Sequence, residues 1–101
     1  MAMKNLRLPK SAIRALCEKH EVEELYVFGS AATGQMTDES DIDFLVRFKI
    51  FDLNNYFLNY LEFKMALEKV TGKKVDLIEK QTLKNPILIQ SIDKSKELLY
   101  G

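Results

Sequence analysis

Residues 25–46, with the sequence LYVFGSAATGQMTDESDIDFLV, decide both the fold and the chemistry of this chain. The apolar run over residues 25–28 ends at Gly29, which is typical of a buried strand. Residues 41–48 alternate in polarity and predict a second strand. The face built for the core carries Ile42, Phe44, Val46 and Phe48, and the opposite face carries Asp41, Asp43, Leu45 and Arg47.

The rest of the chain supplies helices around these two strands. Helical patterns cover Leu8–His20, Asn54–Thr71 and Pro86–Ile92, and the small, Gly-containing stretch Ser30–Met36 fits a short helix followed by a loop. A third strand covers Lys74–Ile78, and Leu98–Tyr100 closes the sheet or packs on it. In the longest helix, a broad apolar stripe combines Phe57, Leu61, Met65 and Val70 with Tyr60, Phe63, Lys64 and Leu67. This order predicts an α+β fold of two layers, in which helices pack on one small mixed sheet.

The composition excludes several classes of protein. The 101 residues include 15 basic and 15 acidic side chains, so the chain lacks the net positive charge that favours nucleic acid or an anionic membrane. One cysteine and one histidine cannot form a disulfide framework or a Cys/His zinc site. No apolar run approaches the ~20 residues of a membrane span, and no signal peptide is recognisable. We therefore expect one cytoplasmic domain over residues 1–101.

Two carboxylates on the second strand indicate a metal site. Asp41 and Asp43 are two residues apart, so they point the same way from a segment otherwise built for a core. Carboxylates that close repel each other, and burial adds to the cost. Oxygen ligands on one rigid strand suit Mg²⁺, which also binds substrate phosphates. The two residues alone leave open a solvated strand end with a capping Asp.

A third carboxylate and a glycine turn point to the same chemistry. Asp76 lies in the apolar strand Lys74–Ile78, and if that strand lay beside Asp41 and Asp43, three carboxylates would suffice for two metal ions. Gly29-Ser30 directly follows a strand, where a glycine allows a phosphate close to the backbone, although the pair also occurs in ordinary turns. No Lys or Arg occurs between residues 19 and 47, so phosphate chemistry there requires metal cations.

The joint pattern resembles the DNA polymerase β-like nucleotidyltransferase superfamily, and within it the minimal nucleotidyltransferases. Gly29-Ser30, ten intervening residues, Asp41-Ile42-Asp43 and the later Asp76 match its Gly-Ser-x10-Asp-x-Asp…Asp motif, and the resemblance covers nearly the whole chain. It implies a palm-like nucleotidyltransferase fold and the transfer of a nucleoside monophosphate, AMP from ATP, with loss of pyrophosphate.

The resemblance also implies a role for each matched residue. Gly29 and Ser30 would bind the triphosphate tail, and Asp41 and Asp43 would hold Mg²⁺ ions that bridge its phosphates. Asp76 would complete a second metal site and serve as general base for the acceptor hydroxyl. Metals and positioning would then stabilise the charged transition state, with little covalent work for the protein.

The family context suggests a partner protein. Minimal nucleotidyltransferases commonly accompany a HEPN-domain ribonuclease in toxin–antitoxin pairs, where they bind the toxin or transfer AMP to one of its tyrosines. A chain too short for a second substrate-binding domain fits an acceptor supplied by a HEPN toxin. Whether the chain also forms a homo-oligomer is left open.

One position departs from the family pattern. The motif often reads Gly-Ser-x-Ala-Arg-Gly, whereas Thr33 stands at the basic position here. Neutralising the triphosphate would then fall to metal ions, to a cation of the partner, or to Arg47, Lys73 or Lys80. Two alternative functions remain: an antitoxin that acts by contact alone, and a nucleotidyltransferase that modifies a small molecule such as an antibiotic.

Overall fold

The computed structural model describes residues 8–33, 41–49 and 53–101. The elements in chain order are α1 (Lys10–Lys19), β1 (Val22–Phe28), α2 (Ser30–Thr33), β2 (Ile42–Phe48), α3 (Tyr56–Thr71), β3 (Val75–Glu79), α4 (Pro86–Ser95) and β4 (Glu97–Tyr100). Short 3-10 turns at Leu53–Asn55 and Lys80–Thr82 precede α3 and follow β3. This arrangement confirms the predicted α+β fold, and the closing segment is a strand.

The four strands form one mixed sheet in the order β3-β2-β1-β4. The central strand β1 pairs antiparallel with both β2 and β4, whereas β2 and β3 run parallel. Helix α3 connects those two parallel strands, as a crossover connection requires. The β2–α3–β3 unit therefore brings the starts of β2 and β3 to the same end of the sheet.

The two faces of the sheet are covered differently. The larger core joins one face to α1 and α3 through Ile13, Cys17, Phe63 and Leu67, all fully buried. On the opposite face a smaller cluster contains Phe28, Leu45 and Ile92, the last of these from α4. Asp41, Asp43 and Asp76 alternate with the larger core's residues along their strands, so they belong to this second face.

Several helix and strand boundaries differ from those predicted from the sequence. Strand β1 begins at Val22 rather than Leu25, because an irregular register between Val22 and Glu24 hides its alternation in the sequence. Asp41 lies just before β2 instead of within it, and α4 continues to Ser95. The short helix predicted at the start of Ser30–Met36 is α2, and the predicted loop beyond Thr33 lies outside the described residues.

The broad apolar stripe predicted for α3 divides into an inner and an outer part. Phe63 and Leu67 are fully buried against the sheet, whereas Phe57 and Met65 are 69% and 65% exposed. The predicted stripe is therefore buried only in part, since one small sheet can cover only one side of the helix. Within the described part of the chain, no helix is long and apolar enough to cross a membrane.

Candidate active site

The strand register places Asp43 and Asp76 side by side. Asp43 on β2 is the in-register partner of Asp76 on the parallel strand β3, and of Phe28 on the antiparallel strand β1. Neighbouring strands lie about 4.8 Å apart, and side chains at paired positions share a face. Phe28, Asp43 and Asp76 therefore form one row across the sheet, with Asp41 two residues before Asp43.

The three carboxylates are electrostatically coupled. Burial raises the pKa of the half-buried Asp43, and the negative charges of Asp76 and then of Asp41 raise it further. Asp41 and Asp76 are themselves exposed to solvent. A cation bound at this face would offset the repulsion, because it interacts favourably with each carboxylate in its charged form.

The glycine that ends β1 is shaped to accommodate Asp43. Gly29 has a left-handed backbone with φ of +71°, and a Cβ atom at this position would overlap Oδ2 of Asp43. A side chain is therefore excluded here by both backbone conformation and space. The predicted glycine turn and the predicted Asp-x-Asp strand are thus in direct contact.

Helix α4 holds the other side of the turn. The backbone N–H of Gly29 donates a hydrogen bond to the Ser95 hydroxyl at 3.3 Å, which places the last turn of α4 against the end of β1. Ser30 begins α2, and the N–H of Ala32 donates to the Gly29 carbonyl at 3.1 Å. Ser95 is not predictable from the sequence, because a serine near the end of an amphipathic helix carries no local signal.

The donor chemistry of this row fits Mg²⁺, which takes oxygen ligands from one or two carboxylates together with substrate phosphates. Among the described residues, no three His, Cys, Asp or Glu side chains are gathered tightly enough to enclose a metal ion. Asp41, Asp43 and Asp76 are brought to one face and into electrostatic contact. Their joint coordination of two metal ions stays a prediction.

Three basic side chains were predicted as candidates to neutralise the triphosphate, and they lie in different places relative to this row. Arg47 stands four residues along β2 from Asp43, about 13 Å at ~3.3 Å per residue, and pairs with Glu23 at 3.0 Å. Lys80 lies on the carboxylate face of the sheet, where its Nζ bonds Glu24 at 3.2 Å. Lys73 is half-buried just before β3. The side chain of Thr33 lies outside the described part of the chain.

Comparison with known proteins identifies the family. The protein-family model described as the nucleotidyltransferase domain matches residues 9–99 of this chain. The chain belongs to the nucleotidyltransferase domain family. This nucleotidyltransferase is 43% identical over 104 residues to a Methanocaldococcus jannaschii protein whose name marks it as a proposed protein adenylyltransferase, covering 97% of this chain and 99% of the relative.

Solved structures show the same fold. A structure described as a minimal nucleotidyltransferase is 31% identical, covers 87% of this chain and 86% of its own, and superposes with a TM-score of 0.73. A complex of tri-AMPylated HEPN toxin from Shewanella oneidensis with its MNT antitoxin superposes with a TM-score of 0.63 at 21% identity, covering 91% of this chain and 69% of its own. At that identity the likeness concerns the fold alone. The predicted family and enzyme class are confirmed.

Proposed function

We propose that this nucleotidyltransferase transfers AMP from ATP to a tyrosine hydroxyl of a partner HEPN-domain toxin, and that it acts as the antitoxin of that partner. The observation that carries the proposal is the row in which Asp43 pairs with Asp76 beside Gly29. The name of the archaeal relative and the solved complex of an AMPylated HEPN toxin with its antitoxin support the acceptor class.

The reaction needs little covalent participation by the protein. The acceptor oxygen forms a bond to the α-phosphorus of ATP, the bond from that phosphorus to the bridging oxygen breaks, and pyrophosphate leaves with the electron pair. Asp76, exposed at the edge of the site, accepts the hydroxyl proton. Gly29 allows the phosphates close to the backbone, and Asp43 and Asp76 fix the place where the reacting groups meet.

Mg²⁺ held by Asp41, Asp43 and Asp76 would neutralise the triphosphate in this acidic site. The pKa of Asp43, raised by burial and by its two neighbours, supports this assignment, because a bound cation would favour the charged form of Asp43.

The proposal is tested by incubating the protein with α-labelled ATP, Mg²⁺ and the protein encoded by the neighbouring gene. Label should move to the partner with the wild type and not with Asp43→Asn. Glu62→Gln is the matched control, since it makes the same chemical change on the exposed surface of α3 and should transfer label normally. If no label moves with any of the four nucleotides, the proposed enzyme activity is wrong.

A contact-only antitoxin is the second candidate, and the sequence feature that favours it is Thr33 at the usual basic position. The two functions separate cleanly in a toxin-neutralisation assay. If Asp43→Asn neutralises the partner as well as the wild type does, contact alone suffices. If Asp43→Asn binds the partner as the wild type does but no longer neutralises it, neutralisation depends on AMP transfer.

A further inference from the structure

A small cavity lies beside the carboxylate row, on the same face of the sheet. It has a volume of about 140 Å³ and is walled by Leu45, Leu83, Ile89 and Ile92; we call it the α4 pocket. Leu45 follows Asp43 by two residues on the same strand face, a spacing of about 6.6 Å. A group seated in the α4 pocket is therefore adjacent to the proposed reaction centre.

The rim of the α4 pocket carries two ammonium groups. Lys80 and Lys96 line it together with Asp93. Their Nζ atoms lie 5.6 Å and 4.6 Å from the centroid of the Tyr26 ring, so each lies within cation–π distance of that ring. Cations in this position attract a further aromatic ring more than an aliphatic group of the same size.

The volume of the pocket restricts its occupant. A cavity of about 150 Å³ lined by aliphatic side chains holds one benzene ring. Pockets that enclose a whole nucleotide-sized ligand are larger, about 300–1,000 Å³. The α4 pocket is therefore too small for a whole nucleotide, whereas the single ring of a tyrosine side chain matches it.

We propose that the α4 pocket binds the aromatic ring of the acceptor tyrosine and directs its hydroxyl towards Asp43 and Asp76. This assignment rests on the proposed function and names the part of the site that selects the acceptor. The apolar walls exclude water from the ring, and the two lysines make cation–π contacts with it. The transfer step is the one written above, with the bound phenol oxygen as the nucleophile.

A binding experiment tests the pocket without any partner. p-Cresol, which is the tyrosine side chain alone, should shift the NMR methyl signals of Leu45, Leu83, Ile89 and Ile92 and leave those of Ile13 unchanged on the opposite face. 4-Methylcyclohexanol, of similar size but without an aromatic face, should bind more weakly. The proposal is overturned if p-cresol moves none of these signals up to its solubility limit, or if adenosine moves them and p-cresol does not.

A variant that fills the pocket tests its role in transfer. Ile89→Trp should raise the KM for the acceptor protein on the order of tenfold and leave the KM for ATP unchanged. Ile87→Trp is the matched control, because Ile87 lies on the same helix, is 78% exposed and does not line the pocket. If Ile89→Trp fails to fold, Leu83→Phe narrows the same cavity from another wall.

The outcomes separate this assignment from the proposed function. Transfer that Asp43→Asn abolishes but that both filling variants leave unchanged overturns the acceptor pocket and leaves the transferase intact. If the wild type transfers nothing to the partner, the proposed function fails and the acceptor pocket fails with it.

Discussion

The contact between Gly29 and Asp43 can be measured by replacing the glycine with alanine. Gly29 has φ of +71°, and any Cβ there would overlap the Asp43 carboxylate. A left-handed backbone costs an alanine about 1–2 kcal/mol. Forcing an extra methyl group into an occupied space adds about 1–3 kcal/mol. We therefore expect Gly29→Ala to lower the free energy of unfolding by about 2–5 kcal/mol.

The chain contains a matched control for this change. Gly72, at the end of α3, has φ of +72°, and a Cβ there meets no atom within 4 Å. Gly72→Ala should therefore lose only the backbone contribution of about 1–2 kcal/mol. The difference between the two variants isolates the overlap with Asp43.

Urea unfolding measures the stability of both variants, and nucleotide transfer measures their activity. Gly29→Ala should lose transfer because Asp43 must move aside, whereas Gly72→Ala should keep it. In the double variant Gly29→Ala/Asp43→Ala, the stability cost of Gly29→Ala should fall to that of Gly72→Ala, since only the backbone contribution remains. Equal costs for the two single variants, with transfer retained in both, would refute the packing of Gly29 on Asp43.

Three further predictions concern the core and the turn. Burial raises the pKa of the Cys17 thiol to about 12 from 9.0, so the stability that this protonated thiol contributes should be lost as pH rises from 9 towards 12. Iodoacetamide at pH 9 should alkylate Cys17 only after unfolding. Equal alkylation rates in the folded and the unfolded protein would contradict this. Phe63→Ala should lower the free energy of unfolding in urea by about 3–5 kcal/mol, and Met65→Ala, at an exposed position on the same helix, should lower it by less than about 0.5 kcal/mol. Similar losses of stability in the two variants would refute the division of α3 into two faces. Ser95→Ala removes the acceptor of the Gly29 N–H and should cost about 0.5–1.5 kcal/mol while raising the KM for ATP; an unchanged KM would separate Ser95 from the nucleotide turn.

Much of this fold can be predicted because its signals are local. The alternation over residues 41–48 correctly separates the core face of β2 from the face of Asp43 and Leu45, since successive side chains of a strand point to opposite sides. The glycine after residues 25–28 correctly marks the end of β1. These patterns depend only on the geometry of the strand that carries them.

Other features depend on the neighbours of each element. Hydrophobic spacing identifies α3 but does not reveal that a narrow sheet reaches Phe63 and leaves Phe57 exposed. The pairing of Asp43 with Asp76 requires the strand order, which the family motif implied and periodicity could not. Ser95 and Lys96 come to the site from the far end of the chain. No local pattern distinguishes them from other polar residues of an amphipathic helix.

The central claim is that the protein transfers AMP to a hydroxyl of another protein at the site formed by Asp43 and Asp76. Intact-protein mass spectrometry of the proposed HEPN-domain partner, after incubation with ATP, Mg²⁺ and this protein, tests it most directly. The account predicts AMP-sized mass increments on the partner with the wild type and with Glu62→Gln, and none with Asp76→Asn. Equal increments with Asp76→Asn, or an unmodified partner with the wild type, would contradict it.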